Sequence, residues 1–136
     1  MSRSYAGSYK DSKNDCLFCV VRPNELLSEN ESCYASKDAH PVTSQHTLII
    51  PKRHVVDYFD LTELEIVGIH QMLIAMRSRI KNDDLTVKGF NIGVNAGKTA
   101  GQSIPHVHIH LIPRRQGDVD NPQGGVRGVI PDKQKY

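Results

Sequence analysis

The stretch His106-Val107-His108-Ile109-His110-Leu111-Ile112 alternates three histidines with apolar residues. Alternate side chains of a β-strand share one face, so this pattern predicts a strand over residues 106–112. Val107, Ile109 and Leu111 would enter the core, and the histidines would line a surface or cleft. An imidazole row is a poor core, because each ring carries a polar nitrogen on both edges. The segment therefore predicts both a core strand and a functional surface.

A row of imidazoles on one face is compatible with two kinds of site. A neutral imidazole is nucleophilic near neutral pH, and neighbouring rings can donate hydrogen bonds to negatively charged oxygens. Periodic histidine tracts also bind metal ions. The spacing alone favours catalysis and metal binding equally.

The clearest helix signal covers residues 62–80. Thr62 and Glu65 have the spacing of a capping box, and Leu61 with Ile66 fits a hydrophobic staple. Apolar residues then recur at spacings of three and four, which predicts that one face of the helix is buried. This predicted apolar face comprises Ile66, Ile69, Leu73, Met76 and Ile80.

Short alternating runs elsewhere predict further strands, at residues 33–35, 47–50 and 90–94. A glycine-containing loop over residues 96–105 joins the last of these to the histidine strand. Two strands joined by such a loop indicate an antiparallel sheet. With the long helix packed on one face of that sheet, the predicted fold class is α+β.

The 136 residues suit a single domain, and 38% of them are apolar. We expect a flexible lead over residues 1–14 and a C-terminal tail over residues 116–136. The net charge is +2 and basic residues are scattered among acids, which argues against a nucleic-acid partner. No apolar run is long enough for a signal peptide or a membrane span, so we expect a cytoplasmic protein without membrane contact.

The histidine row resembles the signature of the histidine-triad superfamily of nucleotidyl hydrolases and transferases. Three further segments occur in the family's order: His46–His54, Gly93–Gly97 and Gly101-Gln102-Ser103. The resemblance covers residues 15–115. It implies a five-stranded antiparallel sheet with one long helix and a short one. It also implies a homodimer, for which we expect the 62–80 helix at or near the interface.

The resemblance further implies residue roles around a nucleotide substrate. His108 would attack the α-phosphorus to form a covalent nucleotidyl-histidine, and His110 and His46 would bind non-bridging phosphate oxygens. Ser103, with Gln102, would hold the scissile bridging atom and the leaving group.

Two more substrate contacts follow from motif position. Asn95 would contact the same phosphate region, and Asp38 would meet the ribose hydroxyls. The glycine-rich loop offers backbone N–H groups that can cradle phosphate.

The residues after the triad bear on the substrate. Ile112-Pro113-Arg114-Arg115, with Gly117-Asp118 beyond, resembles the branch that hydrolyses dinucleoside polyphosphates to release AMP. Arg114, Arg115 and Arg127 would meet the extra phosphates; alternatively they are solvated surface charges. Two other functions stay open: a nucleoside phosphoramidase acting on AMP–amine conjugates, and a nucleotide-binding regulatory protein.

The cysteines indicate a metal site separate from phosphate binding. Cys16 and Cys19 have the C-x-x-C spacing that lets two thiolates share one tetrahedral ion. Some bacterial histidine-triad proteins resemble this arrangement, which implies that His54 and His106 complete a structural zinc site. Otherwise the two cysteines are reduced and partly buried. We expect no redox or nucleotide cofactor.

Overall fold

The computed structural model describes residues 16–136, and the lead predicted over residues 1–14 lies outside the described residues. One α-helix, α1, spans Glu63–Asp83 within the described part of the chain. The five strands are β1 Leu26–Glu29, β2 Cys33–Lys37, β3 Thr47–Pro51, β4 Val87–Val94 and β5 Ile109–Arg115. They form one sheet in the order β1-β2-β3-β5-β4, and every neighbouring pair is antiparallel. The predicted α+β fold with a five-stranded antiparallel sheet is confirmed.

The short helical elements are 3₁₀ segments: Tyr58–Asp60, Lys98–Ala100, Gly125–Val129 and Pro131–Lys133. The last two lie in the C-terminal tail, and the first of them packs along β4. Between residues 16 and 136, no helix is long and apolar enough to cross a membrane.

The start of α1 follows from the predicted capping box. The Thr62 hydroxyl accepts a hydrogen bond from the Glu65 backbone N–H at 3.1 Å, and the Glu65 carboxylate accepts one from the Thr62 N–H at 2.9 Å. Each bond satisfies a backbone donor at the helix start. The Glu65 carboxylate also forms a salt bridge with the Arg53 guanidinium at 2.8 Å, which ties the helix to the segment after β3.

The buried face of α1 differs from the predicted one at one end. Ile66 is 38% exposed, whereas Met72, which the pattern omitted, is 3% exposed. The helix crosses the β1–β2 turn at Gly68, where an added Cβ would lie 2.7 Å from the Ser32 Cβ. Because of this close approach, the face of the helix that carries Gly68 packs against the β1–β2 turn, and Ile66 faces solvent.

The histidine segment enters the sheet later than predicted. Strand β5 begins at Ile109 rather than His106, because the Val107 N–H bonds to the Val55 carbonyl at 2.8 Å instead of to a neighbouring strand. The alternation of faces nevertheless holds, since Val107, Ile109 and Leu111 are each at most 4% exposed and pack in the core beneath α1. The opposite face of the sheet carries a smaller apolar cluster and the functional residues.

Candidate functional site

A cavity of about 410 Å³ opens on the sheet face opposite α1, and we call it the triad cavity. Its floor includes Tyr34 and Leu48, from β2 and β3. Two of the three triad histidines reach it. Of the residues predicted to contact substrate, five line it: Asp38, Asn95, Ser103, His108 and His110.

His108 is held in one tautomer by the backbone. Its Nδ1 lies 3.0 Å from the His106 carbonyl oxygen. A carbonyl can only accept, so Nδ1 carries the proton and Nε2 keeps its lone pair. Burial lowers the pKa of His108 below its ordinary value, outweighing the bond to His106 and the charge of Asp38. The ring is therefore neutral at neutral pH, with a nucleophilic nitrogen available.

His46 and His110 form a hydrogen-bonded pair beside His108. The Val42 backbone N–H donates to Nδ1 of His46 at 3.1 Å, so the proton of a neutral His46 sits on Nε2. That Nε2 lies 2.9 Å from Nδ1 of His110 and 3.3 Å from Oδ2 of Asp38. When Nε2 donates to His110, the proton of His110 must lie on its own Nε2. His110 is then a donor suited to a phosphate oxygen.

Burial also keeps this pair neutral. It is the largest cause lowering the pKa of His46, against the opposing charge of Asp38. For His110, burial and then the neighbouring His108 and His46 lower the pKa to about 4. At neutral pH, the two rings can therefore donate hydrogen bonds without carrying a positive charge.

The first triad histidine belongs to a different group, together with Cys16, Cys19 and His54. His106 is fully buried, so the expectation that all three histidines line a cleft is wrong for this one. Its Nδ1 lies 3.2 Å from the sulfur of Cys16 and 3.6 Å from that of Cys19. Nδ1 of His54 lies 3.1 Å from the Cys19 sulfur. The sequence-predicted metal ligands thus converge, with one ligand atom from each within 4.8 Å of the others.

This group, the Cys/His cluster, has the chemistry of a metal site. Nε2 of His106 donates to the Pro51 carbonyl at 2.8 Å, which leaves the Nδ1 lone pair facing the two sulfurs. Burial, the largest cause, lowers the pKa of His106 to about 4, so this nitrogen stays unprotonated. Two sulfurs and two nitrogens bound tetrahedrally to zinc lie about 3.5 Å apart. The residues present therefore fit the ion.

The loop before the triad divides its residues between two tasks. Ser103 and Asn95 line the triad cavity, but Gln102 does not. Gln102 is 4% exposed; its side chain donates to the carbonyls of Val56 and Ile104 and accepts from the Gly97 N–H. Gln102 therefore shapes the loop, and its donors are engaged away from the cavity where the leaving group was expected.

The arginines expected to meet extra phosphates are engaged elsewhere. Arg114 pairs with Asp118 at 2.8 Å, and Arg115 with Asp84 at 3.0 Å. Arg127 donates to a backbone carbonyl in the tail. None of the three lines the triad cavity.

Sequence reasoning missed the aromatic wall of the cavity. The Phe18 ring meets the His108 ring edge-on, with centroids 5.1 Å apart, and the Tyr34 hydroxyl donates to the Phe18 carbonyl at 2.7 Å. A flat apolar wall of this kind suits a nucleobase. The position of Phe18 between Cys16 and Cys19, two residues predicted to lie beside His106, is the signal that could have identified it.

The chain is similar to known proteins over most of its length. Residues 20–117 match the HIT domain family. An uncharacterised HIT-like protein of Mycoplasma genitalium is 36% identical over 111 residues, which cover 77% of this chain and 77% of that protein. A bis(5'-adenosyl)-triphosphatase of Dictyostelium discoideum is 35% identical over 75% of this chain and 68% of that protein. Among solved structures, a zinc-bound histidine triad family protein from Mycobacterium smegmatis is 36% identical. It aligns with a TM-score of 0.64, covering 76% of this chain and 78% of that one.

Proposed function

The chain belongs to the HIT domain family, and on that basis we propose that it hydrolyses a nucleotide through a covalent bond to His108. The observation that carries the proposal is the hydrogen bond from Nδ1 of His108 to the His106 carbonyl. It leaves a neutral imidazole with its free lone pair beside a cavity, which is what nucleophilic attack on phosphorus requires.

The proposed first step transfers a nucleotidyl group to the enzyme. Nε2 of His108 bonds to the α-phosphorus, and the bond from phosphorus to the leaving atom breaks. The leaving atom takes the electron pair and acquires a proton that the Ser103 hydroxyl, at the cavity wall, relays from solvent. The Nε2–H group of His110, fixed by His46, donates to a non-bridging oxygen as charge shifts there.

The second step restores the enzyme. Water adds to phosphorus and releases one proton to solvent, and the bond from phosphorus to His108 breaks. Nε2 recovers its lone pair, and a nucleoside monophosphate leaves. Asp38 lines the triad cavity with its Oδ2 3.3 Å from Nε2 of His46, and it is the proposed contact for the ribose. Asn95 is the proposed contact for the phosphate.

We propose dinucleoside polyphosphates of the diadenosine tri- or tetraphosphate type as substrates, with AMP as a product. Support comes from the triphosphatase relative and from the sequence after the triad. A second candidate is an AMP–amine phosphoramidate. It is favoured by the pairing of Arg114 and Arg115 with acidic residues, which removes the cations expected to meet a long polyphosphate.

A substrate panel tests both candidates directly. The purified chain is incubated separately with diadenosine triphosphate and with an AMP–amine conjugate, and AMP release is followed by chromatography. We expect AMP from at least one of them, and the ratio of the two kcat/KM values assigns the substrate class. Binding of AMP without turnover of either compound would contradict the proposal and leave a nucleotide-binding protein.

We further propose that Cys16, Cys19, His54 and His106 hold a structural zinc ion. Four protein ligands with no open position would make it a structural rather than a catalytic ion. It would tie the segment before β1 to the start of β5. The zinc-bound relative from Mycobacterium smegmatis supports this assignment.

A homodimer is also proposed, with α1 at or near the interface. The helix exposes Leu64, Val67 and Ile74, each more than half exposed, and β4 is an edge strand of the sheet. Light scattering at micromolar concentration tests this. A mass near twice the 15.2 kDa chain is expected, and a monomer would contradict it.

A further inference from the structure

A second, larger cavity of about 780 Å³ lies beside the triad cavity, and we call it the tail cavity. One of its walls is the outer face of β4 and β5, and the other is the C-terminal tail, from Asp118 to Lys135. His110 and Asn95 line both cavities, and His46 lines the second. The proposed phosphate-binding residues therefore stand between the two spaces.

The tail cavity gathers much of the exposed aliphatic surface of the protein. Residues of this kind usually scatter singly over a surface, and a concave cluster of them indicates a binding site. The aliphatic lining residues, each about half exposed or more, are Val42, Ile92, Val119, Val126 and Val129. Three of these five belong to the tail, beyond the residues that match the family.

The charges around the tail cavity offer no attraction to an anion. Its charged side chains are Arg114, Asp118, Asp120 and Lys135, so two positive charges meet two negative ones. Arg114 is moreover held by Asp118 at 2.8 Å and by Asn91. A free polyphosphate chain would need unpaired cations here. An uncharged group would not need such cations.

We propose that the tail cavity is the subsite for the uncharged end of the leaving group. The ligand class is a neutral ring system, which comes from the second nucleoside of a dinucleoside polyphosphate or from the substituent of an AMP–amine. This rests on the proposed transfer to His108. The size agrees, since ligand pockets of about 300–1,000 Å³ accept such groups. With the first nucleoside against Phe18 and the phosphate at His110, the leaving group points across His110 toward the tail.

The test compares leaving groups that share one adenylate. Diadenosine triphosphate and AMP–tryptamine each carry a neutral ring, while adenosine 5'-phosphoramidate, which releases only ammonia, carries none. The variants are V129D and V126D, at positions 77% and 68% exposed, where a carboxylate does not disturb the core. L85D, at a position between α1 and β4 that is 79% exposed and lines neither cavity, is the matched control.

In V129D and V126D, we expect kcat/KM for a ring-bearing substrate to fall about tenfold relative to the phosphoramidate, because a carboxylate would face an apolar group. L85D should leave that ratio unchanged. A fall for diadenosine triphosphate alone assigns the ring to a nucleoside, and a fall for AMP–tryptamine alone assigns it to an amine substituent. Unchanged ratios in both variants would overturn the proposal.

Binding measurements separate this proposal from the hydrolase proposal. Calorimetry with AMP and with AMP–tryptamine on a protein inactivated as H108A needs no turnover. We expect AMP–tryptamine to bind more tightly than AMP, and V129D to remove the advantage. Equal affinities for the two compounds, unaffected by V129D, would refute the subsite even if hydrolysis is observed.

Discussion

Two groups of polar side chains contain the histidines on either side of His108 in the triad. The Cys/His cluster contains His106, and a second group of Asp38, His46 and His110 lies at the triad cavity; within each group, the candidate ligand atoms lie within 4.8 Å of one another. In the Cys/His cluster, the backbone partner of His106 is the Pro51 carbonyl, an acceptor. In the Asp38–His46–His110 group, the backbone partner of His46 is the Val42 N–H, a donor. The first partner leaves a lone pair facing the cluster, and the second leaves a proton facing the cavity.

This difference separates two functions that the residue types alone do not. A metal ion needs the lone pair that His106 presents. A phosphate oxygen needs a donor. The hydrogen bond from His46 to Nδ1 of His110 places the proton of His110 on Nε2, where it can be donated. With Val42 donating to its Nδ1, a neutral His46 has no lone pair on Nε2 for a metal. The backbone partner of each ring thus supports the proposed zinc ligand at His106 and the proposed phosphate contact at His110.

The largest expected effect tests the boundary between the groups. H108A should lower AMP-forming turnover by at least about a thousandfold, because the bond to the His106 carbonyl fixes the His108 lone pair toward the cavity. H106A should instead lower metal content and stability. Both are measured with the substrate panel and metal analysis, with H70A, on the exposed side of α1, as the matched control.

A covalent trap sharpens the same prediction. Rapid acid-free quenching with radiolabelled nucleotide should show a base-stable, acid-labile adduct in the wild type and none in H108A. Near wild-type turnover in H108A would mean that the proposed mechanism is wrong.

The next effect concerns the metal. C16S should lose about one zinc per chain and melt several degrees lower, because the ion would join segments about 90 residues apart along the chain. C33A is the matched control: Cys33 lies in the core, and burial raises the pKa of its thiol to about 11. It should keep its zinc. Equal zinc content in wild type and C16S, by metal analysis of untagged protein, would exclude this site.

The smallest effect is the pH dependence of stability. Burial lowers the pKa of His110 from 6.5 to about 4, so the folded state binds fewer protons than the unfolded state between these values. Stability is then present above pH 6.5 and is lost as the pH falls toward 4. H110Q should lose less stability across this window, by on the order of 2 kcal/mol in denaturant titrations. H70Q should behave as the wild type, and identical losses in H110Q would contradict the assigned burial.

The sequence predicted the features that follow from periodicity and capping. The apolar alternation at Val107, Ile109 and Leu111 places these residues in the core, and the Thr62–Glu65 capping box begins α1. Both signals are local. The C-x-x-C spacing together with the resemblance also identified the four residues of the Cys/His cluster, which come from three separate segments.

The features that the sequence did not predict depend on contacts between residues far apart in the chain or on turn geometry. The burial of His106 results from packing by the Cys16–Cys19 segment, and the exposure of Ile66 results from the close approach at Gly68. The pairing of Arg114 with Asp118 needs the geometry of a turn, not only its residues. The tail cavity was not predicted, because residues 116–136 carry no periodicity that says where they pack.

The placement of Phe18 between two proposed metal ligands has a practical consequence for anyone who purifies the protein. Its ring contacts the His108 ring and its carbonyl accepts a hydrogen bond from Tyr34, so the cavity wall and the Cys/His cluster share one short segment. With zinc bound as proposed, exposure to chelator during purification would remove the ion and loosen that wall, while every triad histidine stayed in the chain. Substrate preferences measured on such a sample would describe its purification history, and each kinetic comparison should carry a zinc-to-protein ratio beside it.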